Sequence, residues 1–349
     1  MTSKKVFIRN SPNFALKKEK RVLVTGANGF VGSSVCDYLV SAGFDVVGVV
    51  RNNVDISANN RWISQEDLED SPEILKTFHA VVHLAARVHI FNETSPNPCE
   101  EYERVNRDMT LDLAKKCIAA GVEKFIFTSS ISVFGRFVKG VIDPMREPAP
   151  DDYYGVSKWQ AEQKLKKLIS GQDRLQCIIF RLPMIYGPKN KGNMRHLLKA
   201  ASLRLPLPLG KAIGKRSMAY IRNVCDAMGK VIQDKKKDRP RVQTFFINDG
   251  YDLTSGELYE LIFQVFWKKR GLISLPTLWL KYVGDLGSTL ERIFSAKIFI
   301  NKNVIARLLN ESRFSSELFF QEYDWTPPYQ PKEGIAETVE WYRRQRKTK

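Results

Sequence analysis

The chain has 349 residues, of which 43% are hydrophobic and 27% charged. This length and composition are typical of a globular protein with one large or two ordinary domains, and they exclude a disordered or fibrous chain. The formal net charge of +17 favours an anionic ligand, a nucleic acid or an acidic membrane surface. The basic residues form short clusters without interleaved aromatics or a helix-turn-helix pattern, so specific nucleic-acid binding is not predicted. Loose association with a membrane surface stays an alternative.

The cysteine spacing and the length of the hydrophobic segments indicate in which cellular compartment the protein is found. The five cysteines lack the spacing of disulfide pairs or metal ligands, which indicates reduced thiols and a cytoplasmic protein. The four histidines also lack ligand spacing, so no metal site is predicted, and His83 is expected to be a core residue of a strand. No run is long enough for a signal peptide or a transmembrane helix. Residues 1–20 are predicted to be a basic leader outside the fold.

A glycine-rich segment, TGANGFVG at residues 25–32, stands between a short β-branched run and a helical pattern. This order is typical of the first β-turn-α unit of a nucleotide-binding fold. Glycines allow a tight turn, close approach of backbone N–H groups to a diphosphate, and packing of helix on strand. The start of the helix adds N–H donors and the positive end of its dipole. The cofactor contacts predicted here are Gly26, Asn28, Gly29, Phe30, Val31 and Gly32.

Strands and helices alternate along the first half of the chain. The predicted strands are 22–24, 46–50, 81–86, 125–128 and 177–180, and the predicted helices are 31–42, 100–120 and 154–169. Such alternation predicts an α/β fold with a doubly wound parallel sheet. The nucleotide-binding, Rossmann-like domain is therefore placed at 21–182, with one more strand near 243–248.

The second half of the chain has a different composition and a less regular hydrophobic pattern. Prolines and glycines after residue 182 predict loops rather than a regular sheet, followed by helices at 254–268 and 334–346. We expect residues 183–349 to form a smaller mixed domain that covers the substrate and is interleaved with the first.

Two segments carry groups suited to redox chemistry. Tyr154 and Lys158 are four residues apart on a predicted helix, which places the phenol and the ammonium on one face. A nearby cation is expected to lower the pKa of the phenol, so that Tyr154 can exchange a proton with a sugar oxygen. Ser130 follows a strand, at the edge of the sheet where ligands bind, and its hydroxyl can hold that oxygen beside Tyr154.

Five motifs together resemble the extended short-chain dehydrogenase/reductase family: TGANGFVG, HLAA, TSSISVFG, YGVSK and RLPMIYGP. The segments HLAARVH, YGVSKWQAE, KRSMAYIRNVCDA and YDWTPPY are similar to a bacterial polysaccharide branch of nucleotide-sugar enzymes. That branch contains UDP-N-acetylhexosamine 4-epimerases and 4-keto reductases that form UDP-N-acetylquinovosamine. The resemblance implies NAD or NADP on the first domain and a UDP-sugar substrate in the cleft. It also implies a homodimer formed through helices 100–120 and 154–169.

The resemblance assigns individual residues. Tyr154, Lys158 and Ser130 match the catalytic residues, with Ser130 and Tyr154 also touching the substrate. The remaining matches are Leu84, Ala85 and Ala86 against the cofactor, Asn106 behind the active site, Pro183 and Tyr186 beside the nicotinamide, and Asn193 and Arg216 at the UDP portion. The glycine that usually accompanies the asparagine is Met109 here.

Two departures from the family pattern are informative. Related 4,6-dehydratases carry an Asp-Glu pair after the catalytic threonine, whereas this chain has Ile131 and Ser132, so water elimination is not predicted. The second strand ends in Arg51 instead of an acidic residue, and an arginine there can accept the 2′-phosphate of NADP.

Two enzymatic hypotheses remain open. The first, favoured slightly by Arg51, is reduction of a UDP-4-keto-6-deoxy-N-acetylhexosamine for surface polysaccharide. The second is a UDP-glucose or UDP-N-acetylglucosamine 4-epimerase, which uses the same residues. A third hypothesis, a redox-sensing binding module, is disfavoured because both Tyr154 and Lys158 are present.

Overall fold

In the computed structural model, the described residues are 20–51, 61–88, 95–135, 140–142, 145–190, 192, 194–209, 214–236, 238–273, 282, 285, 288–289 and 311–347. Most of the predicted basic leader lies outside these ranges.

The centre of the fold is a seven-stranded sheet in which every pair of neighbouring strands is parallel. The strand order β10-β7-β5-β4-β1-β2-β3 is that of a doubly wound sheet, so the predicted α/β class is confirmed. Its strands are β1 (Arg21–Thr25), β2 (Asp45–Val50), β3 (Arg61–Ser64), β4 (Ala80–His83), β5 (Lys124–Ser130), β7 (Gln176–Leu182) and β10 (Val242–Phe246).

Helices cover both faces of this sheet. On one face α1 (Phe30–Ser41) packs against α7 (Ile221–Gln233), and on the other α4 (Met109–Ala120) packs against α5 (Tyr153–Ile169). Alternate side chains of β1 divide between the two cores: Val22 and Val24 face α1, and Leu23 faces α4 and α5. Because both faces are buried, the strands are continuous apolar runs.

Two predicted elements of the first half differ from the structure. The predicted strand 81–86 ends at His83, and the next three residues form an extended loop. The predicted helix 100–120 is a helical run from α3 (Pro98–Glu103) to α4, interrupted by a π-helical turn at Arg104–Asp108. The strand β3 and the short helix α2 (Gln65–Asp70) had not been predicted, because each is too short for its period to show.

The expectation of loops rather than a regular sheet after residue 182 is wrong. A second sheet of three strands joins β8 (Met184–Tyr186), β9 (Lys215–Tyr220) and β11 (Asp252–Thr254). Two of these strands have three residues, too few for an alternating pattern. A short parallel pair joins β6 (Val141–Ile142) to β12 (Arg313–Phe314).

Other helices of the second half include α6 (Met194–Ser202), α8 (Ser255–Trp267), α9 (Glu317–Tyr323) and α10 (Pro331–Lys347). The helix α7 had not been predicted, although its buried residues include Ile221, Val224 and Met228 at helical spacing. None of the helices in the described ranges is long and apolar enough to cross a bilayer.

Close packing at Gly32 gives a test of the first β-turn-α unit. A Cβ atom at Gly32 would lie 2.1 Å from the carbonyl oxygen of Gly26, whereas a Cβ at Gly171 would meet nothing within 4 Å. We expect Gly32→Ala to lower the free energy of unfolding by about 1–3 kcal/mol, and Gly171→Ala to change it by less than about 0.5 kcal/mol. Urea denaturation measures both, and equal effects would contradict the packing argument.

Candidate active site at the carboxyl ends of the strands

The glycine turn lies directly against the loop that follows β4. Gly26 has a φ of +66°, and a Cβ there would come within 2.8 Å of the Ala85 amide nitrogen. Gly29 is the N-cap of α1, whose first turn contains no acidic residue. The turn therefore combines close backbone approach with a helix N-terminus open to a negative group, which suits a diphosphate.

Hydrogen bonds from the Thr25 hydroxyl join the turn to that loop. Its Oγ1 accepts from the amides of Leu84 and Ala85, each at 3.2 Å. It also lies 2.7 Å from Nδ1 of His83, whose Nε2 is 2.9 Å from the Thr110 hydroxyl. The Thr110 hydroxyl donates its proton to a backbone carbonyl, so it must accept the hydrogen bond from Nε2–H of His83. His83 is therefore the neutral tautomer that is protonated at Nε2 and unprotonated at Nδ1. His83 is thus a core residue, as predicted.

The π-helical turn continues this chain of hydrogen bonds. Thr110 donates to the carbonyl of Asn106, and the Asn106 side chain bonds both backbone groups of Arg87 at 2.8 and 2.9 Å. Its amide also donates to Ser157 Oγ, and Ser157 donates to the carbonyl of Tyr154. Asn106 therefore supports the loop after Ala86 and the helix α5 from behind and does not line the pocket.

Ser130, Tyr154 and Lys158 meet in one pocket beyond the ends of β5 and β7. The Ser130 hydroxyl hydrogen-bonds the Tyr154 phenol and also accepts from the amide of Ser132 at 3.1 Å, so it both caps a turn and faces the pocket. Lys158 donates to the carbonyl of Thr128 at 2.9 Å. The same pocket is lined by Val31, Leu84, Ala86, Leu182, Pro183 and Ile185, which connects it to the glycine turn.

The ionisation of the two groups on α5 differs from the expectation. Burial raises the pKa of the Tyr154 phenol to about 12, and the hydrogen bond from Ser130 opposes this rise. Burial also lowers the pKa of the Lys158 ammonium to about 7, against the effect of the Glu162 carboxylate. The predicted lowering of the phenol pKa by Lys158 is not seen, because desolvation dominates and Lys158 donates to the Thr128 carbonyl.

A buried ion pair lies one helical turn beyond Lys158. The Glu162 carboxylate accepts from Arg181 Nη2 at 2.7 Å, and their side chains are 0% and 2% exposed. Ser129, next to Ser130, donates to the same carboxylate. The guanidinium of Arg181 lies 5.0 Å from the centre of the Phe134 ring. This group ties α5 to the ends of β5 and β7.

The other predicted residues are placed as follows. Asn28 is exposed at the tip of the glycine turn, and Arg51 is exposed just past the end of β2. Tyr186 faces away from the pocket and donates to Asp249 at 2.8 Å, so it is a core residue instead of a nicotinamide contact. Arg216 lies on β9, outside the lining of this pocket. Asn193 lies outside the described residues.

Several residues that support the site had not been predicted, and His83 had been predicted only as a core residue; the others are Thr25, Thr110, Ser157, Glu162 and Arg181. The side chains with which they pair are 19 to 58 positions away in sequence, so local pattern gave little signal for them. A carboxylate at helical spacing after Tyr154 and Lys158 was the one visible cue. No group of three metal-ligating side chains is present in the described ranges.

Comparison with known proteins gives consistent matches. The model of the NAD dependent epimerase/dehydratase family matches residues 22–244. A UDP-glucose 4-epimerase of Vibrio cholerae is 29% identical over 331 residues, covering 93% of this chain and 96% of that protein. An N-acetyl-alpha-D-glucosaminyl-diphospho-ditrans,octacis-undecaprenol 4-epimerase of Escherichia coli O157:H7 is 26% identical, covering 92% and 94%. The structure of UDP-N-acetylglucosamine 4-epimerase from Bacillus cereus has a TM-score of 0.70, with 21% identity and coverage of 93% and 99%.

Because His83 is buried in its neutral form, we expect its contribution to the free energy of unfolding to depend on pH. Its pKa is lowered from 6.5 to about 3 by burial and by the charge of Lys158. Between these values the unfolded state binds a proton that the folded state does not, so stability falls as pH decreases, by about 1.4 kcal/mol per pH unit for this group. His83→Leu removes this dependence, so its deficit in unfolding free energy relative to wild type should shrink from pH 7 to pH 4.

Urea denaturation at several pH values measures that deficit. The control is Ile126→Val, which shortens a fully buried side chain that does not titrate, so its deficit should not vary with pH. A deficit of His83→Leu that is constant with pH would show that His83 titrates equally in both states.

Proposed function

The chain belongs to the NAD dependent epimerase/dehydratase family, and we propose that it carries out oxidation–reduction at C4 of a nucleotide sugar. It is an enzyme of this NAD-dependent class, and the predicted family and cofactor are confirmed. The observation that carries the proposal is the pocket in which Ser130, Tyr154 and Lys158 meet beside the glycine turn. There a sugar hydroxyl or ketone can lie between two hydroxyl groups.

The residues present fit a nicotinamide dinucleotide. Gly26, Gly29 and the start of α1 would hold the diphosphate, while Ala86 and Pro183 would border the nicotinamide end in the pocket. When bound, the nicotinamide supplies or accepts a hydride. Ala27 N donates to the carbonyl of Val49, so the end of β2 and Arg51 stand beside the turn. We infer that Arg51 lets NADP bind there as well as NAD.

In the reducing direction, the hydroxyls of Ser130 and Tyr154 hydrogen-bond the C4 carbonyl oxygen of the substrate. Reduction of C4 by the bound nicotinamide would move the electron pair of the C=O bond to that oxygen. Tyr154, which is protonated at neutral pH, gives its proton to the oxygen and becomes a phenolate. Ser130 then donates to the phenolate, and this hydrogen bond lowers the free energy of the charged form.

Lys158 acts on the charge of Tyr154. Its pKa of about 7 means that the free site gains or loses this ammonium proton near neutrality. In the structure as it stands Lys158 donates to the Thr128 carbonyl, and once the proton has left Tyr154 a phenolate one helical turn away would favour the ammonium form of Lys158. The same coupling makes the phenolate accessible when the reaction runs toward oxidation.

Two reactions use this chemistry. Reduction of a UDP-4-keto-6-deoxy-N-acetylhexosamine is supported by the protonated phenol and by Arg51, which suits an exchangeable NADPH. Epimerisation at C4 is supported by the two relatives that match over more than nine-tenths of the chain. Dehydration is not proposed, because Ile131 and Ser132 stand where dehydratases carry their acid–base pair. The backbone amide of Ser132 also donates to the Ser130 hydroxyl, as part of the turn that Ser130 caps.

The second part of the proposal concerns the group to which the substrate sugar is attached, its carrier. The relatives act on a UDP-sugar in one case and on an undecaprenol diphosphate-linked sugar in the other, as their names state. Both carriers present a diphosphate. We propose a UDP carrier and assign Arg216 and Asn193 to it, since an arginine can bind two phosphate oxygens at once. A homodimer through the helical run that contains α3 and α4, together with α5, stays a prediction.

Replacement of the acid–base residue tests the chemistry. We expect Tyr154→Phe to lower kcat by at least about 100-fold, because the proton donor is lost, while the binding of NADH followed by fluorescence is retained. Tyr153→Phe, the neighbouring and 55% exposed tyrosine, is the matched control and should retain activity. Near-normal turnover by Tyr154→Phe would refute the acid–base assignment.

Product analysis separates the two reactions. The purified protein is incubated with UDP-N-acetylglucosamine, with the UDP-4-keto-6-deoxy derivative plus NADPH or NADH, and with the undecaprenol-linked sugar. We expect net consumption of NADPH with the keto sugar alone. Formation of UDP-N-acetylgalactosamine without net redox identifies a 4-epimerase instead, and turnover of only the lipid-linked sugar would contradict a UDP carrier.

A further inference from the structure

Three segments of the second half meet on one surface away from the candidate site. They are residues 202–207 after α6, residues 266–273 at the end of α8, and residues 340–346 of α10, and we call them the basic platform. A cleft between them is lined by aromatic and arginine side chains. No residue of this cleft lines the pocket of Tyr154.

Hydrogen bonds hold these segments in place. The amide of Leu207 donates to the carbonyl of Gly271 at 3.0 Å, and the amide of Ile273 donates to the carbonyl of Leu207 at 2.9 Å. Arg346 donates to Ser202 Oγ at 2.8 Å. The platform is therefore a defined surface in which the relative positions of its side chains are set by the fold.

The platform carries a high positive charge. Within its three segments the sequence has one acidic residue, Glu340, and seven basic ones. All seven are exposed: Arg204, Lys268, Lys269, Arg270, Arg343, Arg344 and Arg346. The proposed chemistry at C4 takes place elsewhere and gives no reason for this concentration of charge.

Packing accounts for part of the arginine content. Arg343 donates to the carbonyls of Val265 and Phe266 and so caps the end of α8. The guanidinium of Arg204 lies 4.0 Å from the centre of the Trp267 ring. These contacts orient two of the cations, but they leave the charge itself at the surface, where it attracts anions.

Apolar side chains stand among these cations. Leu203 and Leu205 flank Arg204 and are 51% and 49% exposed, and Ile273 is 46% exposed. A nucleic acid would pair its phosphates with the cations and leave the leucines in water. A bilayer surface accepts both, because leucines enter the boundary of the acyl chains while lysine and arginine bind acidic headgroups.

We propose that the basic platform docks the enzyme reversibly on a membrane that contains anionic phospholipids. Clusters of four to eight basic residues are of the size that binds such membranes, with a contribution of roughly fivefold in affinity per residue near the surface. Docking of this kind weakens as ionic strength rises, since the attraction is screened. The site of Tyr154 keeps its activity whether or not the platform is bound.

Vesicle sedimentation tests this docking with the full chain. We expect the protein to pellet with vesicles of equimolar phosphatidylcholine and phosphatidylglycerol at low salt, and to stay in solution with phosphatidylcholine alone. Lys269→Glu/Arg270→Glu should weaken binding by at least about tenfold. The control Lys235→Glu/Lys236→Glu makes the same change of charge at another exposed basic run and should have a much smaller effect. Turnover in solution verifies that each variant is folded.

A second variant tests the apolar part of the platform. Leu203→Ser/Leu205→Ser keeps every charge and should also weaken vesicle binding, by several-fold. The proposal fails if the protein does not bind anionic vesicles, or if the control variant loses as much affinity as the platform variant. A further comparison uses duplex DNA in place of vesicles. The proposal also fails if the leucine variant binds vesicles like wild type and the wild-type protein binds duplex DNA as tightly as it binds vesicles. That combination would indicate a surface that binds any polyanion by charge alone.

Discussion

The hydrogen-bonded chain through His83 is the interaction on which the geometry of the site depends. It begins at Thr25 in the glycine turn and passes through His83 and Thr110 to Asn106 on the π-helical turn. From there it reaches Ser157 on the helix of the proposed acid–base residue. Each member is buried, so a lost partner leaves a polar group without water, at a cost of about 1–3 kcal/mol. The glycine turn and the helix α5 are thus held in fixed relative positions by one connected network.

The ion pair of Glu162 and Arg181 supports the middle of the same helix. Because both groups are almost fully buried, removal of either one would leave an uncompensated charge, which typically costs about 3–5 kcal/mol. Burial also explains the pKa values of the two ionisable groups in the pocket. It disfavours the charged forms of Tyr154 and Lys158, raising the pKa of one and lowering that of the other. In the structure as it stands, both groups therefore favour their uncharged forms more than they would in water.

Prediction from sequence succeeded where the pattern is local and long. The glycine turn and helices such as α5 and α8 were placed within a residue or two, because their apolar positions recur at helical spacing. It failed for β8 and β11, which have three residues each, and it did not show that Tyr186, assigned to the loop beside the nicotinamide, donates to the buried Asp249. A side chain that could face either a ligand or the core is not distinguished by its neighbours in sequence.

The sequence by itself determined the α/β class and the glycine turn, and it singled out Ser130, Tyr154 and Lys158 as the candidate reactive groups, since each of these depends on residue type and short-range spacing. Tertiary structure decided what surrounds them. Only the fold brings His83 to Thr110, or Glu162 to Arg181, because these partners come from different strands and helices. It also decided the ionisation of Tyr154, since desolvation depends on the packing around a group and not on its neighbours along the chain.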